Sequence, residues 1–144
     1  MSRIETALKR FAQGEFLIVT DDVDRENEAD LILLAEAATA EKLAFMIRHT
    51  SGVICATLTA ERAAELDLPL MVRKNRDSMR TAFTVSVDLK EGITTGISAA
   101  ERAATLKALS APEMRAEDFN RPGHIFPLIA RPGGVRERRG HTEA

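Results

Sequence analysis

Residues 16–34 read FLIVTDDVDRENEADLILL. Two short apolar, β-prone runs, 16–20 and 31–34, flank a ten-residue acidic segment, and each run is expected to be a buried strand. Between them lie Asp21, Asp22, Asp24, Glu26, Glu28 and Asp30, opposed only by Arg25, for a local charge of −5. Were this segment extended, side chains would alternate faces, and Asp22, Asp24, Glu26, Glu28 and Asp30 would share one side. Like charges so close repel unless a cation sits among them. A divalent cation such as Mg²⁺, which prefers oxygen ligands, meets that need. Charge alone is explained more simply by a solvated loop. The flanking strands, however, place the segment at the rim of a core, where sites are often built.

Outward from this stretch, helix and strand signals alternate. Ile4, Ala7, Leu8 and Phe11 are spaced for an amphipathic opening helix that Gly14 ends. Thr39 is placed to cap a helix over 40–49, which Ser51-Gly52 breaks. A strand carrying Cys55 is predicted over 52–58. Thr59 is placed to cap a short helix to about Leu66. Residues 71–80 are polar and irregular, and the alternation in 82–88 predicts a strand with one buried face. Ser98 and Glu101 form a capping box opening a helix to about Leu109. A short strand is predicted near 124–130, between turn signals. The class is therefore α/β or mixed α+β, with helices packed around a mixed sheet.

Composition narrows the function. The 144 residues match one domain, 44% of them apolar, with 20 basic against 22 acidic residues and a net charge of −2. No global basic field favours nucleic acid, there is no Trp or Tyr for base stacking, and no apolar run is long enough for a bilayer. A lone cysteine excludes an internal disulfide, and the start lacks a secretory core, so a cytoplasmic protein is expected.

The last 24 residues oppose the acidic segment in charge. Arg121, Arg131, Arg136, Arg138 and Arg139 face only Glu137 and Glu143, and His124 and His141 each follow a glycine. RRGHT, 138–142, offers guanidinium groups, an imidazole, a hydroxyl and main-chain N–H groups, a mixture that suits a phosphate. A basic terminal tail is the plainer account. Complementarity favours the site: a metal and an anionic phosphosugar between the two segments would satisfy both. Cys55 reads first as a small buried hydrophobe. GITTGIS, 92–98, reads either as an ordinary capped turn or as a cradle for a phosphorylated ligand.

Taken together, DDVDRENEAD (21–30), RHTSGVIC (48–55), TAFTVSVD (81–88), GITTGISAAER (92–102), RPGHIFPL (121–128) and GGVRERRGHTEA (133–144) resemble the 3,4-dihydroxy-2-butanone 4-phosphate synthases of riboflavin biosynthesis. The resemblance runs in family order from about residue 14 to the last residue. It implies that family's α/β fold, a homodimer with active sites at the interface, and a Mg²⁺- or Mn²⁺-dependent lyase. The implied reaction converts D-ribulose 5-phosphate to 3,4-dihydroxy-2-butanone 4-phosphate and formate. It further implies Glu26 and His141 as metal ligands, and Arg25, Glu26, Asp30, Arg138, Arg139, Gly140, His141 and Thr142 as substrate-binding residues. His124 matches a histidine essential in the family, and Glu28, Cys55 and Thr95 match further catalytic positions.

Three departures from the family pattern stand out. Ala29 replaces a frequent Gly, Arg136 replaces an apolar residue, and family domains continue beyond GHTEA to a further catalytic glutamate. The expectation is one synthase-like domain over 1–144 without that segment, binding substrate and metal but turning over slowly. The alternative is a weak or inactive phosphosugar- and metal-binding paralogue or fragment.

Overall fold

In the computed structural model, which describes residues 2–144, helices α1 (Arg3–Ala12), α2 (Ala40–His49), α3 (Ala60–Glu65) and α4 (Ala99–Ser110) alternate with five strands. Strands β1 (Leu17–Thr20) and β2 (Ala29–Ile32) form an antiparallel hairpin whose tip is the acidic segment. Strands β3 (Cys55–Leu58), β4 (Val87–Leu89) and β5 (Phe119–Ile129) form a mixed sheet with β5 in the middle, parallel to β3 and antiparallel to β4. The mixed α/β class is as expected. No helix among the described residues is long and apolar enough to cross a membrane.

The helices begin where their caps stand. Ser2, Thr39, Thr59 and Ser98 each accept a hydrogen bond from the third N–H of their helix, and Ser2 and Ser98 complete capping boxes with Glu5 and Glu101. The core gathers where α2 and α4 meet the three-stranded sheet. Leu43, Leu66, Val87 and Ile125 are fully buried, with Leu109 and Ile54 nearly so. Each such aliphatic side chain contributes about 1.5–3 kcal/mol. Thr105 ties α4 to the sheet, its hydroxyl accepting the Leu89 N–H at 2.9 Å and donating to the Glu101 carbonyl at 3.1 Å.

Three expectations need correction. The strand predicted over 82–88 is regular only from Val87; Phe83 and Thr84 make isolated bridges. The Thr84 N–H donates to the Pro127 carbonyl at 2.9 Å, but a proline has no N–H to return, so the ladder stops. The strand near 124–130 starts earlier, at Phe119, and runs through the RPG read as a turn. It does so by bulging: Val87 pairs with Ile125 but Asp88 pairs with Asn120, leaving residues 121–124 looped out of the ladder, with a cis Arg121–Pro122 peptide. Finally, the hairpin strands are not fully buried, since Ile18 is 73% exposed. Helix α1 likewise buries no residue, so its apolar stripe, including Ile4 and Leu8, faces outward in the single chain.

Candidate active site

The hairpin tip does not extend. It folds back on Asp21, whose carboxylate is almost completely buried. One Asp21 oxygen accepts the Glu28 N–H at 3.0 Å; the other accepts the Glu26 N–H at 3.1 Å and the Arg25 guanidinium at 2.7 Å. The Glu28 N–H above all, helped by Arg25 and the Glu26 N–H, holds the Asp21 carboxyl at about 2. Arg25 also donates to Glu26 Oε2 at 2.7 Å. Asn27 closes the turn at φ 53°, a conformation asparagine tolerates better than most side chains. The shared face expected for Asp22, Asp24, Glu26, Glu28 and Asp30 therefore does not form. Hydrogen bonds inside the turn turn Asp22 outward to Arg139, 2.8 Å away, and bring Asp21 and Glu26 together instead.

The C-terminal segment meets this tip. Its brace is Arg138, which pairs with the buried Glu143 at 2.6 Å and donates to the Met79 carbonyl and the Thr81 hydroxyl. Glu143 also accepts the Arg131 N–H at 3.2 Å. Gly140 is buried in the turn between them, and a Cβ there would overlap the Arg138 guanidinium. The segment is thus folded onto the body, not a loose tail. It delivers His141, 10% exposed, with Nδ1 3.5 Å from Asp30 Oδ2 and 3.8 Å from Glu26 Oε2. His141 Nε2 is buried and has no hydrogen-bond partner. Donor atoms of Asp21, Glu26 and His141 lie within 4.8 Å of one another.

This cluster fits a divalent cation. Two carboxylates and an imidazole are hard or borderline donors, and His141 Nδ1 stands 3.5 Å from Asp30 and 3.8 Å from Glu26 without hydrogen-bonding either. Glu26 and His141, from opposite ends of the chain, would hold the ion. Asp21 is the residue the sequence reading did not single out. Its signal was its position directly after the apolar run of β1, at the mouth of the turn, where a side chain can accept the N–H groups that follow.

The remaining candidates are dispersed. All the Arg138 guanidinium nitrogens are engaged within the protein, so this side chain braces the segment. In contrast, the N–H groups of Arg139, His141 and Thr142 make no hydrogen bond among the described residues. Glu28 is exposed. Cys55 lies on β3 not buried as first read but exposed at residue level, and the surrounding protein, then the Asp30 carboxylate, push its thiol up to about 11. It is therefore a thiol and not a thiolate at neutral pH. His124 stands on the β5 bulge, outside the Asp21–Glu26–His141 cluster, against Asp88. Surface hollows of about 420 and 120 Å³ lie beside α1 and near Leu70, and neither contains a cluster residue.

The 92–98 loop, with Thr95 exposed at its tip, leads into the capping box of α4. Its donors already hold an anion, because Glu101 accepts the Thr94 N–H at 2.5 Å, the Thr94 hydroxyl at 2.6 Å and the Gly96 N–H at 3.1 Å. The Thr94 hydroxyl first, then its N–H and the Ser98 groups, hold Glu101 at about 2, below an ordinary 4.5. A carboxylate depressed on folding stabilises fully above its unfolded value and loses that contribution as pH falls through its folded one. The Thr94 amide resonance should therefore titrate with a midpoint near 2. A midpoint near 4.5, or a titration that persists in Glu101→Gln, would contradict this arrangement.

Comparison with known proteins agrees with the geometry. A family profile described as 3,4-dihydroxy-2-butanone 4-phosphate synthase matches residues 5–144. The chain is 53% identical over 144 residues to the 3,4-dihydroxy-2-butanone 4-phosphate synthase of Agrobacterium fabrum, covering all of this chain and 68% of that protein. It is also 53% identical to riboflavin biosynthesis protein RibBA of Chlamydia muridarum, covering all of this chain but 34% of that protein. A crystal structure of 3,4-dihydroxy-2-butanone 4-phosphate synthase in complex with two magnesium ions superposes with a TM-score of 0.96 at 55% identity, over 99% of this chain and 67% of that one. The chain thus spans about a third of the longer relatives and about two thirds of the shorter ones. With the profile covering nearly every residue, the chain belongs to the 3,4-dihydroxy-2-butanone 4-phosphate synthase family.

Proposed function

We propose that the chain forms a single domain that converts D-ribulose 5-phosphate to 3,4-dihydroxy-2-butanone 4-phosphate and formate with a bound divalent cation, Mg²⁺ or Mn²⁺. The observation that carries this reading is the meeting of Glu26 and His141 at 3.8 Å, with His141 Nε2 buried and unpartnered. A cation bound there supplies an electrophile for the oxygens of a ketose phosphate.

The chain's own groups do the rest. The free N–H groups of Arg139, His141 and Thr142, with the exposed Arg139 guanidinium and Gly140 between them, suit the phosphate. Arg25 and Asp30 border the same space and orient the sugar, while Arg138 keeps the turn in place. Glu28, exposed on the hairpin tip, is free to take a proton from a carbon beside the carbonyl. Thr95 and the Cys55 thiol serve as hydrogen-bond donors, and His124 as a proton-transfer group. His124 lies outside the cation cluster in one chain, so a homodimer in which one copy's bulge faces the other's hairpin tip completes the site.

The test is formate release from D-ribulose 5-phosphate. Formate formed in step with the four-carbon phosphate, and abolished by chelation, is the expected result. Sugar phosphate left intact in the presence of Mg²⁺ would refute the reading.

A further inference from the structure

The bulge that carries His124 is built around one buried carboxylate. Asp88, 6% exposed at the middle of β4, uses both oxygens on it: Oδ1 accepts the His124 main-chain N–H at 2.8 Å, and Oδ2 lies 2.7 Å from His124 Nδ1. The neighbouring Gly123 N–H donates to the Ser86 hydroxyl at 3.1 Å. Arg121 pins the start of the bulge to the Leu66 and Ala116 carbonyls.

Two glycines make room. A Cβ at Gly123 would overlap the main chain of Val87 and Asp88, and one at Gly96 would overlap the Asp88 carboxylate. Arg102, 9% exposed on α4, lies within electrostatic reach of Asp88. Three separate stretches of sequence, 86–88, 94–96 and 121–124, therefore converge on this side chain.

We infer that Asp88 is a positioning residue that fixes the His124 ring and its tautomer, presenting Nε2 as the proton-accepting atom. The argument is one of donors and acceptors. A carboxylate oxygen only accepts, so the contact at Oδ2 requires the hydrogen to sit on Nδ1. In the neutral ring this leaves Nε2 bare, and no described residue hydrogen-bonds it. The side chain is 39% exposed, so Nε2 is open to a substrate or a partner surface. A second anchor through the His124 main chain prevents the ring and its backbone from moving independently. The carboxylate acts through the imidazole and need not touch substrate. This inference deepens the proposed function and rests on it for the identity of the reaction, but not for the tautomer.

The experiment compares the wild-type chain with Asp88→Asn. The amide would keep one acceptor for the His124 N–H and turn its NH₂ toward the ring, forcing the hydrogen onto Nε2. Long-range ¹⁵N NMR on the folded chain should show His124 as the Nδ1–H tautomer in the wild type and the Nε2–H tautomer in the variant. Formate release should fall by about 10²–10⁴-fold in kcat with KM nearly unchanged. A wild-type ring protonated on Nε2, or the same tautomer in both proteins, would overturn the inference. Should Asp88→Asn fail to fold, the wild-type spectrum alone decides it. Absence of formate release by the wild type would count against the proposed reaction while the ¹⁵N pattern still decides the role of Asp88.

Discussion

Glu143→Ala should loosen the C-terminal segment by about 3–5 kcal/mol, the usual loss when one partner of a buried ion pair is removed. Glu143 is 1% exposed and its partner Arg138 only 17%. Without the carboxylate, the Arg138 guanidinium keeps its contacts to Met79 and Thr81 and the longer-range attraction of Asp77, but it is left largely desolvated with no direct ion-pair partner. The Arg131 N–H loses its acceptor as well. The loss is expected to be local, because the segment packs on the body mainly through these bonds. Amide exchange over 131–144 should accelerate strongly while the core residues of α4 and β5 keep their protection. His141 rides on this segment, so cation affinity should fall in the same variant. Unchanged exchange around His141 would show that Arg138 and Glu143 do not brace it.

Gly123→Ala should destabilise the fold by about 3 kcal/mol or more, at the upper end of overpacking effects, because the obstacle is main chain and not a movable side chain. The added Cβ would meet the Val87 carbonyl and the Asp88 N–H across the ladder. Relief requires moving the bulge, and with it His124 away from Asp88. Gly92→Ala is the matched comparison. Gly92 has φ +71° but nothing within 4 Å of a built Cβ, so only backbone strain of about 1 kcal/mol is expected. Denaturant midpoints of the two variants separate these causes. Equal losses would mean that close approach at Gly123 is unimportant.

Much of this architecture was legible in local chemistry. The caps at Thr39, Thr59 and Ser98 and the break at Gly14 act within a few residues of chain, and the helices start and stop where those signals stand. The acidic tip and the basic end were readable as complementary charge, and the structure brings Glu26 and His141 together. Three features depended on distant partners and were not readable. Whether 82–88 pairs regularly depended on Pro127 lying opposite Thr84. The course of 119–124 depended on Asp88 and Ser86 holding a bulge from another strand. The donors of the 92–98 loop were taken by Glu101, whose capping role was visible but whose reach back to Thr94 was not. Asp88 itself had one overlooked signal, a charge that closes an apolar alternation at a buried register.

The central claim is that the hairpin tip and the C-terminal segment form one cation site through Glu26 and His141. Its most direct test is a Mn²⁺ titration, followed by electron paramagnetic resonance in the presence of D-ribulose 5-phosphate, of the wild-type chain, Glu26→Gln and His141→Ala. Both substitutions should weaken binding by at least about 10²-fold, the upper end of what loss of even an outer-sphere partner does, with the thermal midpoint of the isosteric Glu26→Gln close to wild type. Wild-type Mn²⁺ affinity in both variants would contradict the account.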